Sequence, residues 1–371
     1  MLSTVVDTNP VPSGAAFPQR RPTADIVVGA PRRDAGMPGR FTVTTMRDVA
    51  ARAGVSTKTV SRVFNDDPHV LPSTRAEVEQ AMRDLNYVPN VLATTFRSGR
   101  SSVIGVAVPD IVDPFFAAIA RAIDDTARTH GISTMVTSLG DDPEGERPAL
   151  ESMLGRKLSG LVVAPVGTDH SWLSRWQEHT PLVFVDRAPR GLDTDTFTEN
   201  DEEGAYLATS HLSSYGHRRI AYVGDVVHLS TETNRLHGWR RALAEVGMSG
   251  GDELVFDRVT TRNAAAAAVA QLQALDEPAT AIFSANARSS MVLAAVMRNS
   301  PMPLVGFGDF PLADILTPSV TVVDQDPRGL GTLAAERVIA RLADVGAHLE
   351  RLSVREVTLI ERESCRAAAH N

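Results

Sequence analysis

Twenty residues, MRDVAARAGVSTKTVSRVFN (46–65), leave this chain little freedom near its start. Met46, Val49, Ala50 and Ala53 recur at i, i+3, i+4 and i+7, the spacing of one helical face. Gly54 ends that helix, and Ser56 is placed to cap a second one whose apolar stripe is Val60, Val63 and Phe64. A third helix is predicted from about Ser73, with Val78, Ala81, Met82 and Leu85 turned inward. Helices this short bury enough surface only by sharing one small core, so the segment must be a compact helical module. A bracing helix, a glycine turn and a second helix with a polar outer face are what a helix-turn-helix needs to enter the major groove. The second helix presents Thr57, Lys58, Ser61 and Arg62. Arg62 and Lys58 can donate to guanine edges, while Ser56, Thr57 and Thr59 can reach bases or phosphates. A plain helical hairpin with a solvated face shares this pattern.

Charge does not decide between the two. The formal net charge of −8 splits into +2 for residues 1–44, +2 for 45–100 and −12 for the remainder. A partner carrying many phosphates is repelled by the large part and tolerated only by the small one. A basic stretch this weak does not by itself indicate nucleic-acid binding.

Residues 1–44 hold six prolines and four glycines without apolar periodicity and read as a disordered extension. Beyond residue 100, short apolar runs alternate with helical patterns: SVIGVAV, ISTMV, GLVVAPV, PLVFV, RIAYVG, ELVF, TAIFSA and LVGF. Such runs separated by helices indicate parallel strands covered on both faces, here arranged as two α/β lobes with a cleft between them. No run approaches the ~18 apolar residues of a membrane span, so no membrane partner is expected. The single cysteine, Cys365, excludes an intrachain disulfide framework and a cysteine-cluster metal site. With no secretory pattern at the N-terminus, the chain is expected to be cytoplasmic. The histidines lack metal-ligand spacing, and the acidic run DDPEGE (141–146) reads as a surface helix cap. No phosphate loop, strand-linked GxGxxG, GxSxG or HExxH occurs, so no cofactor and no enzyme activity are expected.

Ligands of open parallel sheets gather beyond the carboxyl ends of the strands. Those positions hold Asp113, Phe115 and Phe116 after the first strand, Asp186 and Arg187 after PLVFV, and Asn286 after TAIFSA. Asp309 follows LVGF, Gln325 lies in TVVDQD, and Arg235 lies in the segment after RIAYVG. Carboxylates, amides and guanidinium groups with an aromatic face nearby suit a small polyhydroxylated ligand. Helix caps and buried core are the competing roles for Asp186, Asn286 and Phe116, and a surface ion pair is the competing role for Arg235. Arginines beside the carboxylates should lower their pKa values, which favours binding over proton donation.

The wording DVAARAGVS, TVSRVFN and YVPN resembles the head-piece of the lactose-repressor/galactose-repressor family of bacterial transcription regulators. The resemblance runs on through GHRRIAYVG and the last strand, over about residues 45–365. It implies a small all-α helix-turn-helix head-piece (45–88), a hinge helix or linker (89–101), and a two-lobed α/β core of the type I periplasmic-binding-protein kind (102–365), followed by a tail (366–371). It further implies a homodimer that binds near-palindromic operator DNA and answers to a small effector, a sugar or sugar derivative. The chain ends soon after its last strand without a leucine-heptad tail, so a tetramer built that way is not expected. By position, Thr57, Lys58 and Arg62 would read bases. Arg47, Ser56, Thr59, Ser61, Asn65, His69, Thr74 and Asn90 would contact DNA, mostly at phosphates. Phe96 stands at the hinge position where the family inserts a leucine wedge, and an aromatic wedge can also kink a duplex. Ala93-Thr94 replaces the common Ala-Arg, which Arg97 and Arg100 would offset. In the core, Asp113, Phe115, Phe116, Asp186, Arg187, Arg235 (with Gly238, an R-x-x-G), Asn286 and Gln325 match the ligand shell. The usual Gly-Phe-Asp-Asp reads Gly306-Phe307-Gly308-Asp309, which leaves two alternatives: Asp309 replaces the missing aspartate through a shifted loop, or the ligand lacks the hydroxyl that aspartate accepts from. A sugar-binding transport protein or a sugar-processing enzyme with the same core are the other readings. The first leaves the helix-turn-helix unexplained.

Overall fold

The computed structural model describes residues 45–64, 67–85, 87, 102–226, 229–298, 302–344 and 348–365. The expected extension, the hinge segment and the tail lie outside them, as do Asn65, Asn90 and Phe96. The chain divides into two compact units, residues 1–89 and 90–371.

In the first unit, α1 (Met46–Ala53), α2 (Thr57–Phe64) and α3 (Pro72–Asp84) enclose Val49, Ala50, Val60, Val63, Val78 and Ala81. Thr45 opens α1 with a reciprocal capping box: its hydroxyl accepts from the Asp48 amide at 3.3 Å while Asp48 accepts from the Thr45 amide at 2.7 Å. Gly54 closes α1 at φ +66°, the left-handed conformation that makes the tight turn possible. Two arginines that the apolar pattern does not reveal hold the helices together. Arg52 pairs with Asp84 at 2.9 Å, and Arg75 donates to the carbonyl of Asp67 at 3.0 Å.

The second unit contains two six-stranded sheets. The first, lobe 1, is built from β1 (Val103–Val108), β2 (Ser133–Ser138), β3 (Gly160–Val163), β4 (Leu182–Val185), β5 (Asp195–Glu199) and β11 (Leu352–Arg355), in the order β11-β5-β4-β3-β1-β2 and parallel throughout. Alternate residues serve opposite faces. Ile104, Val106 and Val108 pack on α4 (Pro114–Thr129) and α11 (Pro327–Ala343), while Ala107, Leu161 and Val163 pack on α5 (Pro143–Leu154). The second sheet, lobe 2, contains β6 (Ile220–Val223), β7 (Val255–Phe256), β8 (Ala281–Ser284), β9 (Leu304–Phe307), β10 (Thr321–Asp324) and β12 (Thr358–Ile360), in the order β12-β10-β9-β8-β6-β7. Its edge strand β12 runs antiparallel, against the expectation of parallel strands alone. Helices α7 (Asp201–Ser214), α8 (Ser230–Glu245), α9 (Arg262–Ala274) and α10 (Ala287–Val296) cover it around buried Tyr222, Trp239, Phe283 and Phe307. A short α6 (Ser174–Gln177) belongs to lobe 1.

The chain passes between lobes three times, after β5, after β10 and between β11 and β12. Helix α11, which follows a lobe 2 strand, is therefore fixed to lobe 1. There Arg337 and Arg341 pair with Asp195 of β5 at 2.6 and 2.8 Å. Gly238 explains the spacing of its motif. A Cβ there would come within 2.0 Å of the Glu202 carbonyl, so the glycine lets α8 lie against α7.

Candidate functional site

The loops that follow the carboxyl ends of the parallel strands converge from both lobes on one cavity of roughly 470 Å³. Eight of the nine residues singled out in the core line it: Asp113, Phe115, Phe116, Asp186, Arg187, Arg235, Asn286 and Gln325. The ninth does not. Asp309 is held by Arg362, whose two terminal nitrogens lie 2.7 and 3.1 Å from its oxygens, and it takes no part in the lining. Position 308 shows why no aspartate stands there. Its φ is +82°, and a Cβ would come 2.9 Å from Gln325 Oε1. The space a side chain would take is filled by the Gln325 amide, and no shifted loop brings Asp309 in its place.

Several residues combine the competing roles. Asp113 caps α4, accepting from the Phe115 amide at 2.9 Å, and also faces the cavity. Asn286 caps α10 through the Ser289 amide at 2.8 Å, while its Nδ2 donates to Glu232 at 2.7 Å. Asp186 caps nothing. It sits at φ +65°, 3% exposed, with Oδ2 3.1 Å from Arg187 Nε but without hydrogen-bond geometry to it. Phe115 and Phe116 meet edge to face at 5.1 Å and belong to both the lobe 1 core and the lining.

Arg235 is no surface ion-pair partner. It is 5% exposed, and its Nε donates to Asp201 Oδ1 at 2.7 Å. Nη1 donates to the Ala285 carbonyl at 2.8 Å, and the guanidinium stacks 4.0 Å over Phe307. Around it lies a buried acidic group that the motif did not reveal. Glu232 accepts from the Tyr222 hydroxyl and from Asn286, each at 2.7 Å. It stands three residues before Arg235 on α8, so helical spacing alone places both on one face. Glu199, at the end of β5, has no hydrogen-bond partner at either carboxylate oxygen among the described residues.

The expectation that arginines lower these acids is overturned by burial. Desolvation pushes Asp201 up to about 6, with the Arg235 charge opposing it. It raises Glu232 against Arg235, Tyr222 and Asn286. It pushes Glu199 well above the carboxylate range, with the charges of Asp186 and Asp201 adding to the effect. Removing a carboxylate from water costs more here than a shared guanidinium returns. The acidic run at 141–146 also does more than cap a surface helix. Asp142 caps α5, but Asp141 and Asp142 both line the cleft, and Glu146 is buried against His170 at 2.8 Å. No metal-holding cluster of His, Cys, Asp or Glu occurs among the described residues.

On the head-piece, Arg47, Ser56, Thr57, Lys58, Arg62 and His69 are exposed, while Thr59, Ser61 and Thr74 are partly buried. Ser56 caps α2 by accepting from the Thr59 amide at 3.1 Å, and the two hydroxyls lie 2.9 Å apart. Arg62 keeps a loose surface pairing with Asp67 at 3.4 Å, and Asp67 in turn takes His69 at 3.0 Å. Lys58 and Arg62 therefore stand on one exposed face of α2, the charge arrangement a groove-reading helix requires. No helix among the described residues is long and apolar enough to cross a membrane.

Comparison with known proteins agrees with both units. Residues 45–90 match the model of bacterial regulatory proteins of the lacI family. Residues 101–360 match that of periplasmic binding proteins and the sugar binding domain of the LacI family. The chain is 30% identical to the HTH-type transcriptional regulator GalR of Escherichia coli (strain K12), over 87% of its own length and 96% of that protein. It is 28% identical to the HTH-type transcriptional repressor PurR of Aliivibrio salmonicida (strain LFI1238), over 83% and 95% of the two chains. Among solved structures, the lac repressor dimer bound to operator and the anti-inducer ONPF superposes with a TM-score of 0.75 at 26% identity, covering 87% of this chain and 99% of that one.

Proposed function

Because the chain belongs to the LacI family of bacterial regulatory proteins, we propose that it is a repressor whose head-piece (45–88) grips operator DNA under control of a small ligand in the core (102–365). The observation that carries this reading is the presence, in one chain, of a capped helix-turn-helix with exposed Lys58 and Arg62 and of a two-lobed cleft lined by polar groups from both sheets. Thr57, Lys58 and Arg62 read base edges. Arg47, Ser56, Thr59, Ser61, Asn65, His69, Thr74 and Asn90 steady the phosphate backbone, and Phe96 wedges a base step. Ser56 and Thr59 already bond each other, so their contribution to DNA is a secondary one. The protein acts in the cytoplasm as a homodimer on a near-palindromic site, one head-piece per half-site.

The ligand, a sugar or sugar derivative, lies against Phe115 and Phe116 and bonds to Asp113, Asp186, Arg187, Asn286 and Gln325. Arg235 supports this shell from behind, since its donors are taken by Asp201 and Ala285. Ligand binding favours one lobe angle, and the linker 89–101 passes that preference to the head-pieces. Converting a 1:99 population to 99:1 needs a preference of ~5.5 kcal/mol, so a useful switch needs roughly 3–5. We read no catalytic step in the cleft, because Glu232 and Asp201 are engaged by neighbouring side chains instead of being presented to a substrate.

The experiment is selection of bound duplexes from random DNA by the purified chain, followed by footprinting with and without candidate ligands. A protected, symmetric site whose occupancy responds to a ligand is expected. Absence of any symmetric site under all conditions would refute the proposal.

A further inference from the structure

The charge balance of the cleft points to the class of effector it holds, an inference that rests on reading the cleft as the effector site. Seven carboxylates line it against four guanidinium groups. Arg235 is answered by Asp201 and the Ala285 carbonyl. Arg288 is answered by Asp225, with Asp141 at 3.7 Å. Arg187 donates to the Pro165 carbonyl at 3.0 Å and lies against Asp186. Arg258 stands at the rim with its side chain 72% exposed and Asp257 4.0 Å away. Each of the inner three lies against a carboxylate, although Arg187 Nε, 3.1 Å from Asp186, makes no hydrogen bond among the described residues.

The acids are in the opposite condition. Asp113 uses Oδ1 to cap α4, and among the described residues no group donates to its Oδ2. Asp186, buried in the wall, has an unbonded Oδ2. Asp110 spends one oxygen on the Val112 amide at 2.9 Å. Among the described residues two buried donors in the same cavity are open: Nε2 of Gln325, a side chain 5% exposed, and Nε of Arg187, which faces Asp186 Oδ2 at 3.1 Å.

We propose that the effector is a cation, a small hydroxylated molecule bearing a protonated amine, which sits against Asp113 and Asp186 with Asp110 at the edge and gives one acceptor oxygen to Gln325. An ammonium offers three donors and one positive charge, matching both the open oxygens and the surplus of acids. A neutral polyol would bond to the same oxygens but leave the net surplus of acids in the wall uncompensated in a partly desolvated space. A phosphate ester would add close to two negative charges to a wall that already has too many. Burial pushes the Asp113 carboxyl up, with the Phe115 amide and the Arg288 charge opposing it and the charges of Asp186 and Asp110 adding to it.

The test uses the intact chain in thermal-shift and calorimetric titrations with matched compounds: glucose, glucosamine and glucose 6-phosphate, then the galactose and mannose counterparts. At least one amino sugar should bind, roughly tenfold more tightly than its neutral parent, and no phosphate ester should bind. Asp113→Asn keeps the cap acceptor but removes the charge. It should cut that preference to about threefold or less, and Asp186→Asn, tolerated at a positive φ, should do the same. Circular dichroism and the unfolding midpoint check that both variants fold. A neutral or phosphorylated compound as the tightest ligand, no amine binding, or an unchanged preference in both folded variants would overturn the proposal. Operator binding measured in parallel separates the two readings. A neutral sugar that releases DNA would remove the cationic effector and leave the regulator, whereas no operator affinity in any state would remove the regulator itself.

Discussion

Replacing Arg235 with methionine keeps most of the side-chain stem over Phe307 while deleting the charge that holds Asp201. The guanidinium is buried, bonds Asp201 and Ala285, and is the cation shared by Asp201, Glu232 and Glu199. Removing one partner of such a pair leaves the other charge stranded, at a cost of about 3–5 kcal/mol. For a core of this size that corresponds to a midpoint lowered by about 6–15 °C. The dependence on pH is the sharper part. Asp201 has a raised folded value, about 6, so its protonated form favours folding. That contribution is complete below its ordinary value of 3.8 and is lost as pH rises through about 6. Without Arg235 the values of Asp201 and Glu232 rise further, and both acids stay neutral to a higher pH. The stability gap between the wild type and Arg235→Met should therefore be small at pH 5 and widen toward pH 8, as read by denaturant unfolding across that range. A gap that is constant with pH, or below about 1 kcal/mol at pH 8 where about 3 is expected, would refute the placement of Arg235 as the buried counter-ion.

Three further outcomes are expected. Arg62→Ala should lower the ratio of operator to random-DNA affinity by about 1–3 kcal/mol in fluorescence anisotropy, and an unchanged ratio would remove its base contact. Glu146 accepts from the Val166 and Gly167 amides at 2.5 and 2.8 Å; burial alone would raise it, but these bonds and His170 hold it below its ordinary 4.5. Its stabilisation is thus present above pH 4.5 and lost as pH falls through the lower folded value, so Glu146→Gln should cost about 1.5–3 kcal/mol at pH 7 and much less in acid. Gly238→Ala forces α8 away from backbone of α7 and should cost about 1–3 kcal/mol in urea unfolding, with no cost if the close approach is mistaken.

The parts that were legible in the sequence are those set by local pattern. Runs such as PLVFV and TAIFSA are buried strands because they are apolar on both faces, and the loops beyond their carboxyl ends had to meet in the cleft. Strand β5 was not legible. Its sequence DTFTE alternates, but the inward positions are Asp195, Phe197 and Glu199. Asp195 is acceptable inside only because Arg337 and Arg341, some 140 residues later, return to it. Strand β11 has the reverse problem, with Leu352 and Val354 about half exposed on a sheet edge that the chain reaches only after five of the six lobe 2 strands. Asp309 was misplaced because a motif position gives neighbourhood and not direction. The positive φ of Gly308 and the Gln325 amide turn the following aspartate toward Arg362. Burial of Glu199 and Glu232 likewise depends on which lobe elements close over them, which no window of sequence contains.

The same geometry bears on how a ligand gains control of the lobes. Three strands of backbone connect them, and Arg288 of lobe 2 reaches Asp141 of lobe 1 at 3.7 Å, with the aspartate side chain 69% exposed. An exposed pair at that distance is worth about 0–1 kcal/mol, far below the roughly 3–5 kcal/mol a switch requires. The buried bonds of Arg235 and Glu232 lie within lobe 2, and the Glu146 and His170 contacts lie within lobe 1, so they stiffen each lobe without fixing the angle between them. Groups from both sides nevertheless face one cavity, Asp113 and Asp186 from lobe 1, Asn286 from lobe 2, and Gln325 from a crossing segment. A molecule that bonds to all of them at once does so in only one arrangement of the lobes. The leverage over the lobe angle therefore belongs to the ligand.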